Sequence, residues 1–114
     1  MSRDKACLLD ICEAGKQALS YAQGLTQSEL RADRMRISAI LYQILIVGEA
    51  TKRLSLEFRI QHPDIPWSNM AGMRDIIAHQ YDRVDSRVLW DVIQKSLPEV
   101  LAQIEPLLLQ EFFD

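Results

Sequence analysis

Apolar residues recur at intervals of three and four along most of the chain, the spacing of one face of an α-helix. The first run, residues 4–22, has apolar positions at Cys7, Leu8, Ile11, Ala14, Ala18, Leu19 and Tyr21. A second run covers about residues 33–57, and its apolar positions form two stripes. The first consists of Ile37, Ile40, Leu41, Ile44, Val47 and Gly48, and the second of Tyr42, Leu45, Ile46 and Glu49. A helix that is apolar on two sides needs two partners, within the chain or in a second copy.

Turn and cap residues separate these runs from further helices. Gly24 ends the first run, and Thr26 followed by Glu29 predicts a capping box at the start of a short helix. The segment QHPDIPWSNMAG, residues 61–72, is the clearest break, and Ser68 is the expected N-cap of a helix from about residue 69 to about His79.

The C-terminal third predicts two more helical segments. Asp85 or Ser86 caps a helix that Pro98 ends or kinks, and Pro98 itself suits the first turn of a last helix. No segment shows the alternation of a strand. The chain is therefore predicted to be all-α, a bundle of four to five helices in a single domain, residues 1–114.

Composition narrows the class of protein. The chain has 114 residues, of which 25% are charged and 48% hydrophobic, ordinary values for a soluble domain. The longest apolar stretch is too short to span a membrane, and early charges argue against an export signal, so we expect a cytoplasmic protein without a membrane contact. Cys7 and Cys12 would point to different faces of one helix, as expected for free thiols in the reducing cytoplasm.

The charge pattern restricts nucleic-acid binding. A net charge of −3 argues against a broad surface that coats nucleic acid. Residues 31–59, however, hold six Lys or Arg against three Asp or Glu. This local basic strip could meet phosphates, and a solvated helix face would explain the same residues equally well.

The segment GMRDIIAHQYD, residues 72–82, holds the candidate chemistry: Arg74, Asp75, His79 and Tyr81. Arg can hold phosphate oxygens, His can transfer a proton near neutral pH, and Tyr can donate a hydrogen bond to a phosphate oxygen. Such groups could hold and cut a phosphodiester. No Asp/Glu cluster of the kind that binds Mg²⁺ is evident, so any cleavage of RNA here would be metal-independent, with the RNA's own 2′-hydroxyl as nucleophile. The same residues could instead be structural, with Arg74 in an ion pair, His79 at a helix C-terminus and Tyr81 packed.

Helix geometry sets a condition on this site. At about 100° per residue, Arg74 and Tyr81 share a face to within about 20°, whereas His79 points about 140° away from Arg74. Two arrangements would bring the groups together. The helix could end near His79 and let the chain turn back, or two copies could pool their groups about a two-fold axis. Glu49, which follows an apolar run, is expected either to pair with Arg74 or to belong to the same cleft.

The pattern R-x-x-x-x-H-x-Y, from Arg74 to Tyr81, resembles the signature of the HepT-like branch of the HEPN superfamily. The blocks VGEATKRLS, HPDIPWSNMAGMRD and VLWDVIQKSLPEV also resemble that family in order. The resemblance implies an up-and-down helical HEPN fold that forms a homodimer around one composite cleft. It implies the toxin half of a toxin–antitoxin module, a metal-independent ribonuclease without a cofactor.

The same resemblance implies roles for single residues. Arg74 and His79 would be catalytic, and Asp75 would fill the polar position after the arginine and support them. Glu49 is expected to support them from its place after the apolar run. The partner would be a minimal nucleotidyltransferase antitoxin of the MNT type that adenylylates Tyr81, which must then be exposed. Two alternatives stay open: a non-catalytic module that binds nucleotides or the nucleotidyltransferase, and a purely structural helical dimer.

Overall fold

The computed structural model describes the backbone of residues 2–112 and the side chains of residues 2–109. The helices are α1 (Arg3–Ala22), α2 (Gln27–Ala32), α3 (Arg34–Arg53), α4 (Leu56–Gln61), α5 (Trp67–Gln80), α6 (Ser86–Asp91) and α7 (Leu97–Phe112). A 3₁₀ turn, Tyr81–Arg83, follows α5, and a π-helical turn, Val92–Ser96, joins α6 to α7. No strand occurs in this part of the chain, so the predicted all-α class is confirmed.

Side chains at the start of α2 satisfy backbone N–H groups that have no partner within the helix. The Glu29 N–H donates to Thr26 Oγ1 at 3.2 Å, and the Thr26 N–H donates to Glu29 Oε1 at 2.9 Å. The predicted capping box is therefore present. In α3, the cap is Asp33, whose carboxylate accepts from the Arg36 N–H at 3.0 Å.

Helix α5 begins at Trp67, and the prediction of Ser68 as its N-cap is wrong. Pro66 occupies the cap position, and its carbonyl accepts the first helical bond, from the Met70 N–H at 3.1 Å. The indole of Trp67 is buried and donates to the His62 carbonyl at 2.9 Å. Burial of Trp67 and this bond place the helix start one residue before the serine.

The chain stays helical from α6 through the π turn into α7, so Pro98 does not break it. The Leu97 N–H donates to the Val92 carbonyl, five residues earlier, which is the π-helical pattern. Proline lacks an N–H and its ring crowds the carbonyl four residues before it, so the wider π turn accommodates it without a break. Pro98 then lies in the first turn of α7, as predicted.

Helix α3 is at the centre of the bundle, between α1 and α5. Arg36 at its start bonds the Tyr21 carbonyl at the end of α1, and Ser55 just beyond its end bonds Asp4 at the start of α1. The two helices are therefore antiparallel. The first apolar stripe of α3 is buried within the bundle from Ile40 to Gly48.

The second stripe of α3 is only partly covered. Leu45, Ile46 and Glu49 are half-buried, and Tyr42 remains 56% exposed. Helix α5 lies along this side of α3, so the chain itself supplies the second partner for part of the stripe. None of the helices within residues 2–112 has the length and apolar run needed to cross a membrane.

Candidate functional site

The site is built where α3 and α5 come closest, at Gly48. A Cβ atom at this position would lie 2.3 Å from the Cβ of Arg74 and 3.0 Å from the Met70 carbonyl oxygen. Both distances are shorter than van der Waals contact, so only glycine fits. Gly48 therefore sets the distance between the two helices at the position of Arg74. From the sequence, Gly48 was placed only in an apolar stripe, although a glycine inside a regular helix pattern can indicate a close packing contact.

Four charged side chains of alternating sign cross the α3–α5 contact. Arg74 Nε donates to Glu49 Oε1, and Arg74 Nη1 donates to Asp75 Oδ1 at 3.2 Å. Lys52 Nζ donates to the same Asp75 oxygen at 2.7 Å. Glu49 and Lys52 lie one turn apart on α3, whereas Arg74 and Asp75 are neighbours on α5. The expected pairing of Glu49 with Arg74 is present, and we call these four residues the charge chain.

The charge chain favours the charged forms of Arg74 and Asp75. The hydrogen bond to Glu49 is the main cause that raises the pKa of Arg74 above its ordinary value. The hydrogen bond from Lys52, followed by that from Arg74, lowers the pKa of Asp75 below its ordinary value. Arg74 is therefore a permanent cation, held in direction by carboxylates on both helices.

Arg74 retains donors for a ligand. A guanidinium has five N–H groups. One bonds Glu49 and one bonds Asp75, which leaves three, and a third of the side chain is exposed to solvent. This arrangement is suited to phosphate oxygens, which arginine binds with two parallel N–H donors.

His79 does not join Arg74 in this chain. It lies in the last turn of α5 and is exposed. Because the helix runs regularly from Arg74 to Gln80, the angle of about 140° between the two side chains persists. No hydrogen bond or ion pair links His79 to Arg74 or Tyr81 among the residues that the structure describes.

Tyr81 also lies apart from Arg74. Its hydroxyl donates to the Ser38 carbonyl at 3.0 Å, near the start of α3. Ser38 precedes Glu49 by eleven residues, which is about 16 Å along the axis at 1.5 Å per residue. Arg74 and Tyr81 do share a face, since both contact α3, but at different heights. The helix ends near His79 as predicted, yet the following turn does not return to Arg74.

Tyr81 is exposed, as its expected modification by another protein requires. The residue is 44% exposed, so its ring is open to another molecule. Met35, 82% exposed, and Tyr42, 56% exposed, lie one turn before and one turn after Ser38 on α3. The hydroxyl therefore lies at the edge of an exposed apolar surface, which we call the α3 patch and define as Met35, Tyr42 and Tyr81.

The predicted basic strip of residues 31–59 is divided in the fold. Arg36 bonds the Tyr21 carbonyl at 2.8 Å and Asp33, and Arg53 pairs with Asp10 of α1 at 3.8 Å. Lys52 instead faces α5 and joins the charge chain. Sequence reasoning missed Lys52, although its spacing of three from Glu49 places both on one side of α3.

Comparison with known proteins matches this chain to one family. The profile of the family described as "Ribonuclease HepT-like" covers residues 11–107. The chain belongs to the HepT-like ribonuclease family. Its blocks therefore identified the right family from the sequence alone.

Two relatives of this HepT-like chain carry ribonuclease names. The "Probable ribonuclease HepT" of Thermococcus cleftensis is 34% identical over 103 residues, covering 90% of this chain and 94% of its own length. A "Putative RNase" of Caldanaerobacter subterraneus subsp. tengcongensis is 36% identical over 93 residues, covering 82% and 83% of the two chains. No solved structure matches the chain.

Proposed function

We propose that this HepT-like chain is a metal-independent endoribonuclease, the toxin of a toxin–antitoxin module, acting in the cytoplasm. The proposal rests on the hydrogen bonds of Arg74. Two carboxylates orient its guanidinium, and three N–H donors remain for a phosphate. Membership of the HepT-like ribonuclease family supports RNA as the source of that phosphate.

The proposed chemistry uses Arg74 and His79. Arg74 holds the scissile phosphate and stabilises the charge that builds on its oxygens. His79 accepts the proton of the 2′-hydroxyl, whose oxygen attacks phosphorus, while the bond to the 5′-oxygen breaks. The leaving oxygen takes a proton from a second imidazole or from water. The products are a 2′,3′-cyclic phosphate and a 5′-hydroxyl end, and no metal takes part.

A homodimer completes the site in this proposal. Within one protomer, Arg74 and His79 point about 140° apart on α5, too far to face one phosphate. A two-fold axis beside α5 would place His79 of one copy opposite Arg74 of the other. Exposed apolar side chains on the same two helices support pairing, because Ile76 of α5 is 51% exposed and the α3 patch is open.

The proposed regulation uses Tyr81. A minimal nucleotidyltransferase antitoxin of the MNT type would transfer AMP to its hydroxyl, which is exposed but must first release the Ser38 carbonyl. The product adds a phosphodiester charge and a nucleotide at the α3 patch. Because Tyr81 and Arg74 are separated along α3, the modification would block RNA across the dimer cleft or prevent the pairing itself.

Mixing two inactive variants tests the composite site. Arg74→Met and His79→Ala should each abolish cleavage of RNA while keeping the helical circular-dichroism spectrum. Unfolded and refolded together, they form some dimers with an intact Arg74 opposite an intact His79. Cleavage should then return, up to the fraction of mixed dimers. Cleavage by the His79→Ala variant alone at the wild-type rate would remove His79 from the mechanism.

A second function is a non-catalytic module that binds nucleotides and serves mainly as substrate of the nucleotidyltransferase. Two observations favour it: His79, the proposed general base, is exposed at the end of α5 and does not join Arg74 within one protomer, and the net charge is −3. Wild-type dimers that bind mononucleotides at Arg74 but leave structured and single-stranded RNA intact would establish this reading instead.

A further inference from the structure

Lys52 has no part in the proposed cleavage, yet it contacts the residue beside the catalytic arginine. We propose that Lys52 is a positioning residue that limits Asp75 to a single bond with Arg74 and so keeps the other N–H donors of the guanidinium available to RNA phosphate. This inference rests on the proposed function, since it deepens the role given to Arg74.

The geometry of Asp75 carries the inference. One oxygen, Oδ1, accepts both from Lys52 Nζ at 2.7 Å and from Arg74 Nη1 at 3.2 Å. The shorter bond goes to Lys52, which lies on the other helix. A charged pair at 2.7 Å is a strong hydrogen bond, whereas 3.2 Å is the long limit for N–H···O. The carboxylate is therefore drawn toward α3.

Loss of Lys52 would leave Asp75 with a single cation. Arginine and carboxylate groups prefer two parallel N–H···O bonds, so Asp75 would engage further donors of Arg74. Glu49 already occupies Nε. Asp75 would then occupy N–H donors that are unbonded in the fold and compete directly with the phosphate, and RNA affinity would fall although Arg74 itself is unchanged.

Lys52 is placed for this role and not for general support of the fold. Its side chain is 41% exposed and that of Asp75 is 50% exposed, so the pair adds little to stability. Arg53, the next residue, pairs with Asp10 of α1 and not with α5, at a similar exposure, 60% and 52%. Arg53 is therefore the matched control, a cation of the same helix outside the charge chain.

The test is a double-mutant cycle of RNA binding, measured by fluorescence anisotropy in the His79→Ala background so that no RNA is cut. Lys52→Met should weaken binding about fivefold. Asp75→Asn added to Lys52→Met should restore the affinity to that of Asp75→Asn alone. Lys52→Arg, which can also hold Asp75, should bind as the parent does, and so should Arg53→Met.

Three results would overturn the inference. If the double variant binds as weakly as Lys52→Met, Lys52 contacts phosphate directly, and the slope of log affinity against log salt should also fall by about 0.7. If Lys52→Met binds normally while Arg74→Met does not, the inference fails and the proposed function stands. If Arg74→Met binds RNA as the parent does, the proposed function fails and takes the inference with it.

Discussion

Replacing Gly48 with alanine adds one methyl group at the contact between α3 and α5. The new carbon would lie 2.3 Å from the Cβ and 3.1 Å from the Cα of Arg74. Carbon atoms pack best at about 3.5–4.0 Å, so the helices must separate locally by more than about 1 Å. No rotamer change can relieve this contact, because the atoms that collide belong to the backbone and Cβ of α5.

The magnitude follows from two opposed effects. Overpacking of this kind costs about 1–3 kcal/mol, and rigid neighbours place Gly48→Ala at the upper end. Alanine is the better helix former by about 1 kcal/mol. We expect a net loss of about 1–2 kcal/mol in the free energy of unfolding, measured by urea denaturation followed by circular dichroism.

Two other glycines provide controls. A Cβ at Gly72 of α5 would meet nothing within 4 Å, so Gly72→Ala should gain up to about 1 kcal/mol. At Gly15 the nearest atom is a terminal carbon of Leu101 at 2.9 Å, which can rotate away, so its alanine variant should fall between the two. Equal stability of the Gly48→Ala and Gly72→Ala variants would refute the argument for close approach.

RNA cleavage by Gly48→Ala should also fall by up to about 100-fold, because Arg74 moves by about 1 Å.

Three further predictions concern the rest of the molecule. Asp4→Ala should lower the free energy of unfolding by about 1–3 kcal/mol, because both carboxylate oxygens accept bonds of 2.8 Å from Ser55; urea denaturation at wild-type stability would contradict this. Burial is the main cause that raises the pKa of Cys7 and Cys12, so a thiol reagent should modify them only after unfolding. Since the pKa of Asp75 is lowered in the fold, its contribution to stability is complete above pH of about 4 and is lost as the pH falls further. Because Asp75 is half exposed, the effect should be small: the melting temperature should fall slightly more steeply below pH of about 4 in the wild type than in Asp75→Asn.

Local patterns in the sequence predicted the fold well. The three-and-four spacing located α1 and α3, and Thr26 with Glu29 located the start of α2. These features depend on residues within one or two turns of each other, so the sequence is sufficient to reveal them. The N-cap of α5 was mispredicted because the cap preference of Ser68 does not set that helix start. Trp67 is buried beside Phe58 and its indole donates to the His62 carbonyl, so the helix begins at the tryptophan.

The candidate site was predictable in part. Periodicity correctly placed Arg74 and Tyr81 on one face, and a glutamate after an apolar run correctly suggested a partner for Arg74. Periodicity shows which face of a helix a residue lies on. It does not show at which point along a neighbouring helix the side chain makes its contact. For that reason the separation of Tyr81 from Arg74 along α3, and the contact of Lys52 with Asp75, required the packing of α3 against α5.

Cleavage of RNA by its own 2′-hydroxyl is the most direct test of the central claim. Purified wild type and His79→Ala would each be incubated in EDTA with an RNA oligonucleotide and with the same sequence carrying 2′-O-methyl groups, and the product ends identified by mass spectrometry. We predict that the wild type cuts only the unmodified RNA, giving 2′,3′-cyclic phosphate and 5′-hydroxyl ends, and that His79→Ala cuts neither. Cleavage of the 2′-O-methyl RNA, or wild-type cleavage that EDTA abolishes, would contradict the account.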